Sequence, residues 1–417
     1  MEDLLFISHR IPFPPDKGDK IRSWNFFRHL AERYRIHLAC FIDDPNDRQY
    51  VEALRERCTE SFFAELSPGL ARLKSLRQLV TGEALTLGYF HSGAMERWIA
   101  DLVARRRPQR AFVYSSGVAH LLMSPEFATM RRIIDFVDVD SDKWQQYASR
   151  QAWPVSAIYR REGRKLLEFE RAVAAEFAAS LFVSPREAAL FRDLAPESAD
   201  RIQHVNNGVD FDYFSPERTY DNPYAGAEPV VCFTGAMDYW PNRDAVIWFA
   251  EQVLPLLGGH GIKARFVIVG SNPAADVRQL GNLANVSVTG RVADVRPYLA
   301  HAAAVVAPLR VARGVQNKVL EAMAMARPLV ATPQALEGID AEPGLHLQLA
   351  ADAAGFAAAL AALLRDGGQA EIGRRARARV VQAYGWANNL TRLEAIIEGG
   401  TRSAVARPTP ACAPANS

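Results

Sequence analysis

The chain has 417 residues, 49% of them hydrophobic, enough to bury two ordinary cores, so two domains are expected. Its formal net charge of +2 lacks the strong basic excess that a nucleic-acid binder normally carries. Four cysteines (Cys40, Cys58, Cys232 and Cys412) with no CxxC spacing and no obvious pairing fit a reducing compartment rather than a disulfide framework.

Met1–Pro12 carries Glu2 and Asp3 and only a short apolar run, so it does not read as a signal peptide, and no later run is long enough to span a bilayer. A soluble, cytoplasmic chain is expected. Leu4–Ser8 reads as a buried strand, followed by a loop forced open by Pro12, Pro14 and Pro15 and relaxed at Gly18. A helix is expected from about Lys20 to Tyr34, with Ile21, Trp24, Phe27, Leu30 and Ala31 as its buried stripe. In an open α/β sheet this first strand–loop–helix lies where ligand binds. Gly18, Lys20 and Arg22 are therefore candidates to face a phosphate or an acceptor, against the plainer alternative of a solvated loop.

His37–Ile42 reads as a second strand and Asp47–Arg57 as a helix. Leu70–Val80 has helical apolar spacing with Arg72, Lys74 and Arg77 and no acid. That composition suits contact with anionic headgroups or, more plainly, an ordinary surface helix. Strands are expected at Ala111–Tyr114 and Arg132–Phe136. The acids Asp135, Asp138, Asp140 and Asp142 alternate too closely to serve only solubility if that second strand is central. Asp138, just past the strand, is the candidate cleft carboxylate. No DxD-type context supports a metal there, and none is expected. A long amphipathic helix follows at Ala157–Phe177, then a strand at Leu181–Val183, and His204–Val209 as a strand end with an Asn-Gly turn.

Glu217–Pro229 is polar, with Pro and Gly and no periodicity, which makes residues 217–229 the natural linker between a domain at 1–216 and a second at 230–385. The second half repeats the pattern, with strands at Val230–Phe233, Arg265–Val269, Val286–Thr289 and Ala303–Ala307, each ending in Gly, Pro or polar residues. Alternating strands and helices without hairpin signals mean a parallel sheet in each half. No GxGxxG follows the first strand of either half, which argues against a dinucleotide oxidoreductase.

The richest stretch is Val305–Thr332: strand, polar loop Arg310–Gly314, a helix carrying Lys318 and Glu321 on one face, and a further strand after Pro328. A Gly-containing turn opening a helix leaves free N–H groups at a positive dipole end, which suits a diphosphate. Lys318 adds full charge, and Glu321 is placed to accept hydrogen bonds from vicinal hydroxyls. The plainer alternative is a solvated Lys–Glu pair. After an Ala-rich helix, Trp386 opens a last amphipathic helix to about Glu398, and residues 399–417 read as a disordered tail.

Several of these stretches together resemble the retaining GT-B glycosyltransferases of family 4, over about residues 4–398. They are the first loop ending in Gly18, NNGVDFDYFSP (Asn206–Pro216), FTGAMDYWPN (Phe233–Asn242), VTGRVADVRPYLAHAAAVVAPLR and GVQNKVLEAMAMARPLVAT. DFVDVDSDKWQQYA and RGVQNKVLEAMAM further resemble a subgroup encoded with exopolysaccharide loci and the PEP-CTERM/exosortase system. The resemblance implies an α/β GT-B fold: two Rossmann-like parallel-sheet domains facing a cleft, with acceptor on the first and donor on the second. It also implies that the helix over 386–398 packs back on the first domain.

Carried over residue by residue, Glu321 matches the second acid of the family's E-x7-E motif and is implied to bind the donor ribose. Lys318 and the N–H groups near Gly314, Val315 and Gln316 are implied to hold the diphosphate. Arg291 and Val292 lie where the base is usually contacted, Gly235 begins the loop under the phosphates, and Gly18 belongs to the loop that closes over the donor. This sequence departs from the family at three places. Arg313 stands where the first acid of E-x7-E is usual, the slot at Pro241–Asn242 lacks the common Arg or Lys, and Val137 stands where a His usually precedes Asp138. Arg243, Arg310 or Arg313 would then supply the missing charge.

The expected activity is transfer of a sugar, of hexosyltransferase type and with retention, from a nucleotide diphosphate sugar to a saccharide or polyprenyl-linked saccharide. It would serve exopolysaccharide biosynthesis, with no cofactor and without a metal. Asp138 and Lys318 are the expected catalytic groups, and Leu70–Val80 the expected peripheral contact with the inner face of the cell membrane. Two alternatives remain open, a nucleotide-sugar epimerase on the same fold and a non-catalytic sugar- or nucleotide-binding protein.

Overall fold

The computed structural model describes residues 1–15, 18–149, 151–312, 314–365 and 369–399. Short runs of Val, Ile, Leu and Phe, apolar on both strand faces, can only be satisfied inside a sheet covered on both sides. Two such sheets form. The first contains β1 (Glu2–Ser8), β2 (Tyr34–Ile42), β3 (Glu60–Glu65), β4 (Arg110–Tyr114), β5 (Arg131–Val137), β6 (Ala179–Phe182) and β7 (Ile202–His204), in the spatial order β3-β2-β1-β4-β5-β6-β7. The second contains β8 (Val230–Thr234), β9 (Arg265–Val269), β10 (Val286–Val288), β11 (Ala304–Ala307), β12 (Leu329–Ala331) and β13 (Gln348–Leu349), in the order β10-β9-β8-β11-β12-β13.

Every pairing is parallel, from Glu2↔Tyr34 at one end of β1–β2 to Ser8↔Cys40 at the other. The chain order reverses between β1 and β4 in the first sheet and between β8 and β11 in the second. At such a reversal two crossovers leave in opposite directions and open a crevice beyond the strands' carboxyl ends. The fold therefore fixes two crevices before any side chain is considered.

The helices that shape these crevices and support them are α1 (Gly18–Ala31), α2 (Asp140–Ala148), α3 (Val155–Glu176), α4 (Pro185–Leu194), α5 (Trp240–Trp248), α6 (Asn317–Ala324) and α7 (Trp386–Glu398). The first sheet carries an apolar layer on each face. One layer includes Phe26, Phe27, Leu30 and, from the far end of the chain, Trp386, Leu390, Leu393 and Ile397. So α7 packs beside α1 on the first domain. Arg131 fixes its end, donating to the carbonyls of Ile396 (2.9 Å) and Ile397 (3.1 Å). The chain crosses between the sheets twice at one place, where the Val209 N–H donates to Tyr384 O at 2.9 Å.

Several elements differ from the sequence reading. β3 lies at a sheet edge, and a half-buried strand flanked by Glu60 and Glu65 carries little apolar signal. β13 is only two residues long. Asp47–Arg57 forms a 3-10 turn, Pro45–Tyr50, that opens a short helix, Val51–Arg55. Leu70–Val80 divides into Pro68–Ser75 and Gln78–Thr81. The strand expected at His204–Val209 stops at His204, because Val205–Val209 is the crossing to the second domain. Residues 400–417, where the disordered tail was expected, lie outside the described residues.

Candidate functional site

The second crevice opens where β8 and β11 diverge. Its floor is Gly235, one residue past β8, whose N–H donates to Val269 O at 3.0 Å. Space there admits only glycine: a Cβ on Gly235 would sit 2.7 Å from Asn242 Nδ2 and 3.2 Å from Lys318 Nζ. The neighbouring Gly270 is equally confined, since its Cβ would fall 1.6 Å from Gly235 O. Lys318, the second residue of α6, reaches over this floor. Its ammonium donates to Asn242 Oδ1 and lies 4.4 Å from the centre of the Phe233 ring. Asn242 is oriented in turn by its own Nδ2, which donates to Ala236 O at 2.9 Å.

Glu321 lies three residues further along the same helix face, one turn from Lys318. Burial pushes the Lys318 ammonium down to about 7, partly offset by Glu321, and pushes the Glu321 carboxyl up to about 7, partly offset by Lys318. The pair is poised close to neutral pH. An anion entering the crevice would drive Lys318 to its charged form.

Gln316 is the N-cap of α6 but makes no capping hydrogen bond with its side chain, which donates instead to Gly314 O at 3.4 Å. The helix start thus presents backbone N–H groups beside Lys318. Val315 is buried against the second domain's core. Gly314 has φ +64°, the left-handed conformation that glycine adopts without penalty. Its Cα also comes so close to the first domain that a Cβ would lie 2.3 Å from Asp138 Oδ1.

Asp138 reaches that position through a sharp turn. The β5–β6 register shifts between Asp135 and Val137, and Val137 takes φ +70°, re-aiming the chain just past the strand. Asp138 Oδ1 is buried and makes no hydrogen bond among the described residues, while Oδ2 lies 3.5 Å from Lys143 Nζ. Lys143 also donates to Asp140 Oδ1 at 2.8 Å, and Asp140 Oδ2 accepts from Ser116 Oγ at 3.1 Å. Two acids from later helices brace the turn from behind. Glu187 of α4 accepts from the Val139 N–H (2.9 Å), and Glu170 of α3 accepts from the Ser141 N–H (3.3 Å). Burial, with Asp138 adding, raises Glu187 to about 7, and burial, with Asp140 adding, raises Glu170 to about 8. Burial opposes the charge on Lys143, yet Asp140 and Asp138 hold its pKa well above the ordinary value.

The structure thus brings Asp138, Gly314, Val315, Gln316, Lys318, Glu321 and Gly235 to one crevice between the domains. Gly18 faces it too, its Cβ position lying 3.4 Å from Asn317 Nδ2. Val292 is half-buried against the second domain's core and Arg291 is exposed beyond Gly290, on the loop that follows β10. Arg310 turns to α5, where it pairs with Asp244 and lies over the Trp248 ring. Arg313 lies outside the described residues.

Lys20 and Arg22, expected on the acceptor side, do not lie on an open surface. Both are fully buried. Lys20 pairs with Asp47 at 2.7 Å, and Arg22 with Asp135 at 2.6 and 3.1 Å. Arg22 also donates to Val205 O (2.7 Å) and Asn207 Oδ1 (3.1 Å), and Asn207 Nδ2 donates across the crevice to Asn317 Oδ1 (3.0 Å). Sequence reading missed Asn242, Lys143, Glu170, Glu187 and Asn207. Only the clustered acids after β5 hinted at the network around Asp138.

Residues 228–366 match the family described as glycosyl transferases group 1. No curated protein matches the chain. Among solved structures, sucrose-phosphate synthase from Thermosynechococcus elongatus is similar with a TM-score of 0.70 at 17% identity, over 96% of this chain and 99% of that one. HepE of Anabaena, in complex with UDP and glucose, is similar with a TM-score of 0.69 at 14% identity, over 96% of this chain and all (100%) of that one. WaaG, a glycosyltransferase involved in lipopolysaccharide biosynthesis, is similar with a TM-score of 0.65 at 13% identity, over 95% and 100%. At these identities the likeness establishes the fold: two parallel-sheet α/β domains in the GT-B arrangement.

Proposed function

We propose that this chain, a GT-B protein whose second domain matches the group 1 glycosyltransferases, transfers a sugar from a nucleotide diphosphate sugar to a hydroxyl of a saccharide or lipid-linked saccharide. One observation carries the reading. Lys318, oriented by Asn242, lies over the glycine floor of the second crevice at the start of α6. Breaking the bond between sugar and diphosphate leaves negative charge on the diphosphate, and catalysis consists largely in stabilising it. The N–H groups at the α6 start and the Lys318 ammonium do this without reorganising at the moment of reaction. Glu321 accepts hydrogen bonds from the donor ribose. Asp138, across the crevice with one unsatisfied oxygen, orients the acceptor hydroxyl or takes its proton. Retention of the anomeric configuration and a place in exopolysaccharide assembly belong to the same reading. They are supported by the family-like wording of residues 135–148 and 313–325.

The complex of HepE with UDP and glucose makes uridine diphosphate sugars the first donors to try. Thermal shift with UDP, GDP and ADP selects the base, and hydrolysis of the matching donor sugars selects the sugar. Lys318→Ala should cut turnover about 10²–10³-fold, the loss seen when one preorganised oxyanion donor is removed, with the circular-dichroism spectrum unchanged. Near-normal turnover in a folded Lys318→Ala protein would overturn the assignment.

The reading includes contact with a membrane surface through the first domain. Leu70, Leu73, Leu76, Leu79 and Val80 are exposed beside Arg72, Lys74 and Arg77. Such a surface suits an acceptor carried on a lipid. No helix among the described residues is long and apolar enough to cross a membrane.

A further inference from the structure

A second cluster lies on the first domain, at the turn that follows β4. We propose that His91, Glu96 and His120 bind a divalent transition-metal ion of the Zn2+ class. His120 belongs to the 3-10 turn that follows β4, Ser116–Leu122. Its Nδ1 lies 3.1 Å from Gly117 O. A carbonyl only accepts, so Nδ1 carries the proton and Nε2 keeps its lone pair. That Nε2 is buried and has no hydrogen-bond partner among the described residues. Burial holds the ring neutral, its pKa pushed down to about 4. A half-buried imidazole with its tautomer fixed by a carbonyl and its other nitrogen buried and unused is the arrangement in which histidine serves as a metal ligand.

The other two ligands stand before it. Glu96 lies in the first turn of the helix Gly93–Arg106, which Ser92 caps by accepting from the Met95 N–H at 3.4 Å. His91 Nδ1 lies 2.9 Å from Glu96 Oε1. The backbone beside His91 is anchored by Phe90. Its ring meets Phe41 at 5.7 Å and His9 at 5.7 Å, and it covers Gly117, whose Cβ would fall 2.6 Å from the ring. This holds the stretch carrying His91 against the same turn that carries His120.

One ligand atom from each residue lies within 4.8 Å of the others. Zinc bonds of about 2.0–2.2 Å in a tetrahedron put ligand atoms roughly 3.3 Å apart, so the cluster need contract only modestly. His91, with its side chain 62% exposed, can make that adjustment. Two imidazoles and one carboxylate suit Zn2+ better than Mg2+ or Ca2+, and water completes the fourth position. The ion would clamp the 85–96 stretch to the turn after β4.

The test uses the full chain purified without a histidine tag and stripped with a chelator. Zn2+ is titrated against a chromophoric competitor, and Co2+ is followed by its visible absorption. One equivalent should bind, Co2+ should give the intense bands of tetrahedral nitrogen and oxygen coordination, and Zn2+ should raise the melting temperature. His91→Ala and Glu96→Gln should each weaken binding by more than the roughly 10–100-fold lost when a hydrogen bond supporting a ligand is removed. Because His120 is half-buried, the exposed His91 carries the decision. No uptake by the unaltered chain, or unaltered affinity in His91→Ala, would overturn the site and leave an ordinary His91–Glu96 surface pair.

Discussion

Among single residues, Lys318 states most about the chemistry. Held near 7 by burial in the crevice, its pKa must rise when a diphosphate binds, so nucleotide binding takes up a proton above that pH. Well below pH 7 Lys318 is already charged and adds no further pH dependence of its own. Between pH 7 and 8.5, where the diphosphate itself is fully ionised, affinity for UDP should fall by up to about tenfold per pH unit. Calorimetric titration of UDP at several pH values in buffers of different ionisation enthalpy reads both the slope and the proton uptake. Lys318→Ala should remove both. A slope that survives in Lys318→Ala would assign the proton to another group. The sequence made Lys318 and Glu321 legible because helix spacing alone puts them on one face. Asn242, which aims Lys318, was not legible: an Asn in the first turn of α5 has no pattern until β8 and α6 are brought together. Lys20 and Arg22 misled for the opposite reason. Cations after a Gly turn read as exposed, and only the fold supplies the buried Asp47 and Asp135 that pair them.

At the scale of elements, the exposed pair of helices Pro68–Ser75 and Gln78–Thr81 stands out. Most apolar helix faces in the chain are covered, but Leu73 is 66% exposed and Val80 90% exposed. The patch continues onto the start of α3. Arg161 donates to the carbonyls of Gln78 (2.8 Å) and Glu83 (3.1 Å), joining the two. Around the start of α3, Trp153 is 81% exposed, Val155 and Ile158 are exposed, and Arg160 and Arg164 add charge. Leucines to insert, a tryptophan for the interface and cations for anionic headgroups are the components of a peripheral membrane contact. Each Lys or Arg near an anionic surface contributes about 1 kcal/mol. Co-sedimentation with vesicles rich in phosphatidylglycerol should therefore retain the chain at low salt and release it at high salt. Glutamates at Leu73 and Val80, both on the surface, should abolish retention without lowering the melting temperature. Equal retention by the glutamate variant or by neutral vesicles would remove the membrane from the account. The apolar spacing of Leu70–Val80 was legible, since leucines three residues apart announce a helix. Its junction with the start of α3 was not, because the two stretches lie more than 70 residues apart in the chain and are joined through Arg161.

For the whole molecule, the arrangement of the two sheets decides whether the crevice works. Their parallel topology was readable from continuous apolar runs ending in Gly, Pro or polar residues. How the domains are held against one another was not, because the contacts are single residues, polar and aromatic, scattered along the chain. Asp138 meets Gly314, Arg186 of α4 pairs with Glu337, and Tyr147 of α2 meets Trp240 of α5 with ring centres 5.7 Å apart. The longest connection runs from the buried Asp135–Arg22 pair through Asn207 to Asn317 at the start of α6. The last helix supports it, Asn389 Nδ2 donating to Asn207 O at 3.3 Å. Asn207 thus ties the rigid core of the first domain to the helix that carries Lys318 and Glu321. Alanine at Asn207 leaves Arg22 its bonds to Asp135 and Val205, so the core should survive while the tie to Asn317 is lost. A neutral hydrogen bond contributes about 0.5–1.5 kcal/mol, enough to shift a balance between closed and open forms severalfold. Small-angle scattering of the ligand-free protein should show the radius of gyration rising in Asn207→Ala and, equally, in Asn317→Ala. The double variant should open no further than either single one, since both remove the same bond. Additive opening would mean that the two residues act through different contacts. Unchanged dimensions in all three would mean that closure rests on Arg186–Glu337 and the Tyr147–Trp240 contact instead.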